Sequence, residues 1–73
     1  MNAQLIQSKI FILKRRQVEA RAQISRSTLY QKVKDGLFPK PIKLGVRAVG
    51  WVEVEVEQWL ANQVATSRGI VNA

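Results

Sequence analysis

Ile24-Ser25-Arg26-Ser27-Thr28-Leu29-Tyr30-Gln31-Lys32-Val33-Lys34-Asp35-Gly36 is the stretch that decides the fold. Ser25 is an N-cap residue, its hydroxyl placed to accept a bond from an orphan backbone N–H. Ile24 before it and Leu29 after it occupy the two positions of a hydrophobic staple. Leu29 and Val33 lie four apart and mark the buried stripe, and Gly36 suits a left-handed stop. The spacing predicts a helix over about 26–35. Upstream, Gln17-Val18-Glu19-Ala20-Arg21-Ala22 reads as a helix over roughly 15–22. Only Gln23-Ile24-Ser25 separates the two, which makes them a helix-turn-helix unit.

The flanks complete a small α+β domain. Ile10-Phe11-Ile12-Leu13 reads as a short N-terminal strand. Phe38-Pro39-Lys40-Pro41 excludes helix, because each proline lacks an N–H and restrains its predecessor. Ile42-Lys43-Leu44, Gly45-Val46-Arg47 and Ala48-Val49-Gly50-Trp51 then read as strand, turn and returning strand, a hairpin with basic residues near its tip. Val52-Glu53-Val54-Glu55-Val56-Glu57 alternates like a strand. Yet Val52, Val56, Trp59, Leu60 and Val64 share one helical face, and the three glutamates suit a helix N-terminus. A third helix over about 54–65 is the expectation. Residues 1–9 and 66–73 read as flexible ends around a domain of 10–65, built as a winged helix-turn-helix of three helices, one strand and a hairpin wing. Phe11, Leu37, Phe38, Trp51 and Trp59 read as core.

Charge names the partner class. Twelve Lys and Arg stand against five acids, for a net charge of +7. Eleven of those cations (Lys9, Lys14, Arg15, Arg16, Arg21, Arg26, Lys32, Lys34, Lys40, Lys43 and Arg47) fall in residues 9–47, where only Glu19 and Asp35 oppose them. That local net of +9 points to a polyanion. With no Cys and no His, zinc sites, disulfides and His- or Cys-based catalysis are excluded. The acids form no catalytic pair, there is no Gly-rich phosphate loop, and 73 residues cannot wall off a deep cavity around a core. The chain reads as a non-enzyme that needs no cofactor. No apolar run is long enough for a signal peptide or membrane span, so the expected compartment is the cytoplasm.

Residue chemistry assigns roles. Arg26, Ser27, Tyr30 and Gln31 face outward from the N-terminal half of the second helix, where base edges are reached. Lys32, Lys34 and the Thr28 hydroxyl suit phosphates. Lys40, Lys43 and Arg47 surround the hairpin, and Arg47 is the minor-groove candidate. Lys14, Arg15 and Arg16 open the first helix, where cations oppose the dipole by roughly 0.3–1 kcal/mol each. Their use on a phosphate backbone accounts for that cost; placement in the preceding turn would remove it. Two other classes fit parts of the chain. The acidic 53–57 end or the basic face could dock on an acidic regulatory protein, or Trp51 and Trp59 could stack on single-stranded nucleic acid.

The residues also resemble a known family. Ile24-Ser25-Arg26-Ser27-Thr28-Leu29-Tyr30, then Gly36-Leu37-Phe38-Pro39-Lys40-Pro41-Ile42-Lys43-Leu44-Gly45, then Arg47-Ala48-Val49-Gly50-Trp51 and Trp59-Leu60 resemble the AlpA family of prophage regulators, in the MerR-like winged-helix excisionase group. The resemblance covers about residues 10–62. It implies a DNA-binding protein of a prophage or integrated island that activates an integrase gene, acts as a recombination directionality factor at attachment sites, or does both. Integrase and RNA polymerase enter as candidate protein partners. It places Arg26, Ser27, Thr28 and Tyr30 on the recognition helix and Lys43 through Val46 to Arg47 on the wing. A monomer in solution, with several copies on adjacent DNA sites, is the expected assembly. The chain departs from the pattern at Gln23, where the family often has Gly, at Arg15, often apolar, and at Val54, often Ser.

Overall fold

Proline and glycine punctuation cuts this chain into six short elements, and the computed structural model describes them across residues 10–69. They run β1 (Ile12–Leu13), α1 (Arg15–Ala22), α2 (Arg26–Lys34), β2 (Ile42–Lys43), β3 (Val49–Val52) and α3 (Glu53–Ser67). The three strands form one antiparallel sheet in the order β1-β3-β2. Ile12 pairs with Val52 and Leu13 with Trp51, while Ile42 pairs with Gly50 and Lys43 with Val49. This is the winged helix-turn-helix architecture that the sequence predicts. Of the flexible ends expected at 1–9 and 66–73, residues 1–9 and 70–73 lie outside the described residues, while Thr66 and Ser67 belong to α3.

The core is Leu13, Val18, Leu29, Trp51 and Val56, one residue each from β1, α1, α2, β3 and α3, with Phe38 from the link before β2. Ala22, Ile24, Val33, Trp59 and Leu60 pack around it. Ser25 caps α2 as expected, its Oγ accepting the Thr28 N–H at 3.2 Å. Gly36 takes the left-handed conformation. The helix-turn-helix turn is made by Gln23, itself left-handed at φ 57°. Its amide Nε2 donates to the Ala20 carbonyl at 2.7 Å, which holds a non-glycine residue in a conformation usually left to glycine.

The ambiguous 52–57 stretch is both things in turn. β3 continues to Val52 and α3 starts at Glu53 without a linker. No side chain caps this helix. The Glu53 N–H donates instead to the Phe11 carbonyl at 2.8 Å, so the backbone beside β1 does the work of the missing serine. The helix runs to Ser67, two residues past the expected limit.

Several core expectations are corrected. Phe11 is 62% exposed, because it lies beyond Ile12, where the register with β3 ends. Leu37 is 60% exposed; it sits in the bend after Gly36, its N–H returned to the Lys32 carbonyl at 2.8 Å, and its neighbour Phe38 takes the buried position. Val64 is exposed because α3 outruns the sheet it packs on. Trp59 is half-buried, edge-on to Phe38 with centroids 4.7 Å apart. Gly50 is a packing requirement: a Cβ there would stand 2.4 Å from Ile12 Cγ2 and 3.0 Å from Leu44 Cδ1. Among the described residues no helix is long and apolar enough to cross a membrane.

Candidate nucleic-acid interface

Burying Leu29 and packing Val33 on the core turns the rest of α2 outward. Arg26, Ser27, Thr28, Tyr30, Gln31 and Lys34 are exposed, and Lys32 is half-buried. Tyr30 sits edge-on to Trp51 of β3, with ring centroids 6.3 Å apart and planes at 61°. Trp51 in turn donates its indole N–H to the Pro39 carbonyl at 2.9 Å. One buried tryptophan thus ties the recognition-helix candidate to the hairpin and to the chain leading into it. Trp59 braces that chain from the other side, donating to the Leu37 carbonyl at 2.7 Å.

Not every proposed side chain is equally available. The Thr28 hydroxyl accepts from Ser25 Oγ at 2.9 Å. The Gln31 amide donates to both Asp35 carboxylate oxygens at 3.1 Å, leaving its carbonyl oxygen unengaged. Arg15 is paired with Glu19 one turn along α1. Lys14 is the N-cap of α1, where the Gln17 side chain accepts its N–H at 2.8 Å, and Arg15 and Arg16 fill a first turn that holds no acid. Lys14 and Arg16 are exposed.

In the hairpin, the Leu44 and Gly45 N–H groups both donate to the Ala48 carbonyl, at 2.8 and 3.2 Å. Lys40, Lys43, Val46 and Arg47 are all exposed, Val46 completely.

Two acids of α3 pair away from these side chains. Arg21 of α1 bonds Glu53 at 2.8 Å and also Glu57, both on α3. These two carboxylates, Glu53 first, raise the Arg21 pKa above its ordinary value. Among the described residues, Lys14, Arg16, Arg26, Lys32, Lys34, Lys40, Lys43 and Arg47 therefore have no ion-pair partner. The Arg21 clamp escaped sequence reading, since its partners stand 32 and 36 positions away. The Arg15–Glu19 pair had a signal in its i,i+4 spacing.

The same geometry narrows the other readings. Glu53 and Glu57 are taken by Arg21, leaving Glu55 as the carboxylate of the acidic end with no ion pair among the described residues. Trp51 is fully buried and offers no face for base stacking, while Trp59 is half-buried and edge-on to Phe38. A group of three or more side chains able to hold a metal is absent among the described residues.

Comparison with known proteins agrees with this arrangement. The family described as prophage CP4-57 regulatory protein (AlpA) matches residues 11–64. The DNA-binding transcriptional activator AlpA of Escherichia coli K12 is 34% identical over 62 residues, covering 77% of this chain and 89% of that protein. An uncharacterised protein, ORF88, of enterobacteria phage P4 is 40% identical over 42 residues, covering 58% of this chain. The aligned part spans 48% of the phage protein's own length. No solved structure matches at a significant level. The matched span takes in every element from β1 through most of α3, and on it the chain belongs to the AlpA family of prophage regulatory proteins.

Proposed function

We propose that this chain binds double-stranded DNA in sequence-specific fashion and regulates a prophage or integrative element. Its targets are an integrase promoter, an attachment site, or both, so it serves as transcription regulator, as recombination directionality factor, or in both capacities. The observation that carries this reading is the separation of charge. Among the described residues, eight cations on the start of α1, on α2 and around the hairpin lack acidic partners, while Glu19, Glu53 and Glu57 are spent on Arg15 and Arg21. The similarity to the E. coli DNA-binding transcriptional activator supports it.

In this reading α2 enters the major groove. Arg26 reads guanine through O6 and N7, Ser27, Tyr30 and Gln31 complete the base contacts, and Thr28 and Lys34 assist at the groove wall. Gln31 does so by releasing Asp35. Lys43, Val46 and Arg47 form the wing. Lys14, Arg15, Arg16, Lys32 and Lys40 meet phosphates, with Arg15 the weakest of them because Glu19 already neutralises it. A single recognition helix reads few base pairs, so specificity comes from several copies side by side, or from DNA bending.

Footprinting across the integrase promoter and attachment site of the host element tests this directly. Protection of short adjacent sites is expected, and a salt dependence with a log–log slope near −5 if about six phosphates are neutralised. No protection, with a slope near zero, overturns the reading.

A further inference from the structure

Between Ile42 and Val49 the sequence is Ile42-Lys43-Leu44-Gly45-Val46-Arg47-Ala48-Val49, and no side chain in it can accept a hydrogen bond. The tip closes through Leu44 and Gly45 onto the Ala48 carbonyl, leaving Gly45, Val46 and Arg47 as the turn. Its shoulders are small. Gly45 has no side chain, Ala48 has one methyl, and a Cβ built on Gly45 would meet the Ala48 Cβ at only 3.9 Å. Val46 stands at the apex 100% exposed. A β-branched apolar residue there adds nothing to folding, since it packs on nothing.

We propose that Val46 is a specificity-determining residue that seats on the floor of the DNA minor groove and, with Arg47, selects A·T over G·C pairs. This rests on the DNA-binding reading above. A minor groove about 6 Å wide admits only a slender protrusion, and glycine and alanine shoulders supply one. The A·T floor presents acceptors alone, adenine N3 and thymine O2, which the Arg47 N–H groups can satisfy. A G·C pair adds the guanine N2 amino donor. Val46 covers that donor and takes its water away. No side chain of the 42–49 hairpin can replace the lost bond, and a desolvated donor without a partner is costly.

The test is competition against a fluorescent random-sequence duplex, using alternating poly d(A-T), poly d(G-C) and poly d(I-C). Inosine keeps the guanine major-groove edge and lacks the N2 amine. We expect poly d(I-C), which shares the major-groove edge of poly d(G-C), to compete roughly tenfold better than poly d(G-C). Val46→Asn provides a carbonyl for the amine, and should bring poly d(G-C) within about twofold of poly d(I-C) without moving the melting temperature. Arg47→Ala should weaken all three. Equal competition by the three polymers overturns the proposal and leaves DNA binding intact, as does poly d(I-C) grouping with poly d(G-C), or an unchanged ratio in Val46→Asn. Failure of every polymer to compete removes the DNA-binding reading and this proposal together.

Discussion

The ring of Tyr30 meets the indole of Trp51 edge-on, at 6.3 Å between centroids, and it is the direct contact between the outward side of α2 and the strand that returns from the wing. Tyr30 is 40% exposed while Trp51 is fully buried, so one ring has a face for the core contact and an edge for solvent. Tyr30→Phe should keep the contact and leave the melting temperature unchanged, while lowering affinity for the cognate site if the hydroxyl bonds DNA. Tyr30→Ala should cost about 0.5–1.5 kcal/mol of stability as well. Thermal melts paired with binding isotherms separate the two effects.

Arg15 and Arg16 are adjacent in sequence and differ in electrostatic commitment. Arg15 is neutralised by Glu19, and Arg16 has no partner among the described residues. Arg16→Ala should reduce the magnitude of the log–log salt slope of DNA binding by about 0.9, one phosphate's worth. Arg15→Ala should change the slope less and helix stability by a few tenths of a kcal/mol, roughly the worth of an exposed i,i+4 pair. Identical slopes in both variants would contradict the division.

Gln23 holds a left-handed turn with a side chain present. Gln23→Gly removes steric strain and loses the Ala20 bond, and it also frees the unfolded chain. The strain dominates, so stability should rise by about 0.5–1 kcal/mol, seen as a melting temperature several degrees higher.

Gly50 has the opposite character. Gly50→Ala pushes a methyl into Ile12 and Leu44, with the Leu13 carbonyl 3.2 Å away. Overpacking of this kind costs about 1–3 kcal/mol. Chemical denaturation should show a lower midpoint.

Glu53 and Glu57 raise the folded-state pKa of Arg21, so the Arg21 contribution to stability is present below its ordinary value and is lost as pH rises through the higher folded value. Arg21→Gln should lower the melting temperature at neutral pH and lower it less in high salt, where the pairs are screened. Its DNA salt slope should stay that of the parent chain.

Local chemistry made much of this molecule legible. The Ser25 cap, the Ile24 and Leu29 staple and the Gly36 stop are each decided within one or two turns, and the helix they define falls within a residue of its expected end. The Phe38-Pro39-Lys40-Pro41 link and the hairpin are equally local. What escaped depends on distant partners. Nothing near Arg21 announces Glu53 and Glu57, and nothing near Val52 shows that a helix can begin there without a capping side chain. Phe11 and Leu37 look like core by hydrophobicity, and only the end of the β1 register and the inward turn of Phe38 put them outside. Among the candidate contacts, the tethering of Gln31 to Asp35 has an i,i+4 signature that the pattern of outward-facing residues overshadowed.

The bond from the Glu53 amide to the Phe11 carbonyl has a kinetic consequence. α3 gains its first external acceptor only after β1 has found β3, so the longest helix waits on a pairing between remote parts of the chain. Exchange of the Glu53 amide with deuterium should accordingly proceed through whole-molecule unfolding, at the rate of the slowest core amides, rather than through fraying of a helix end.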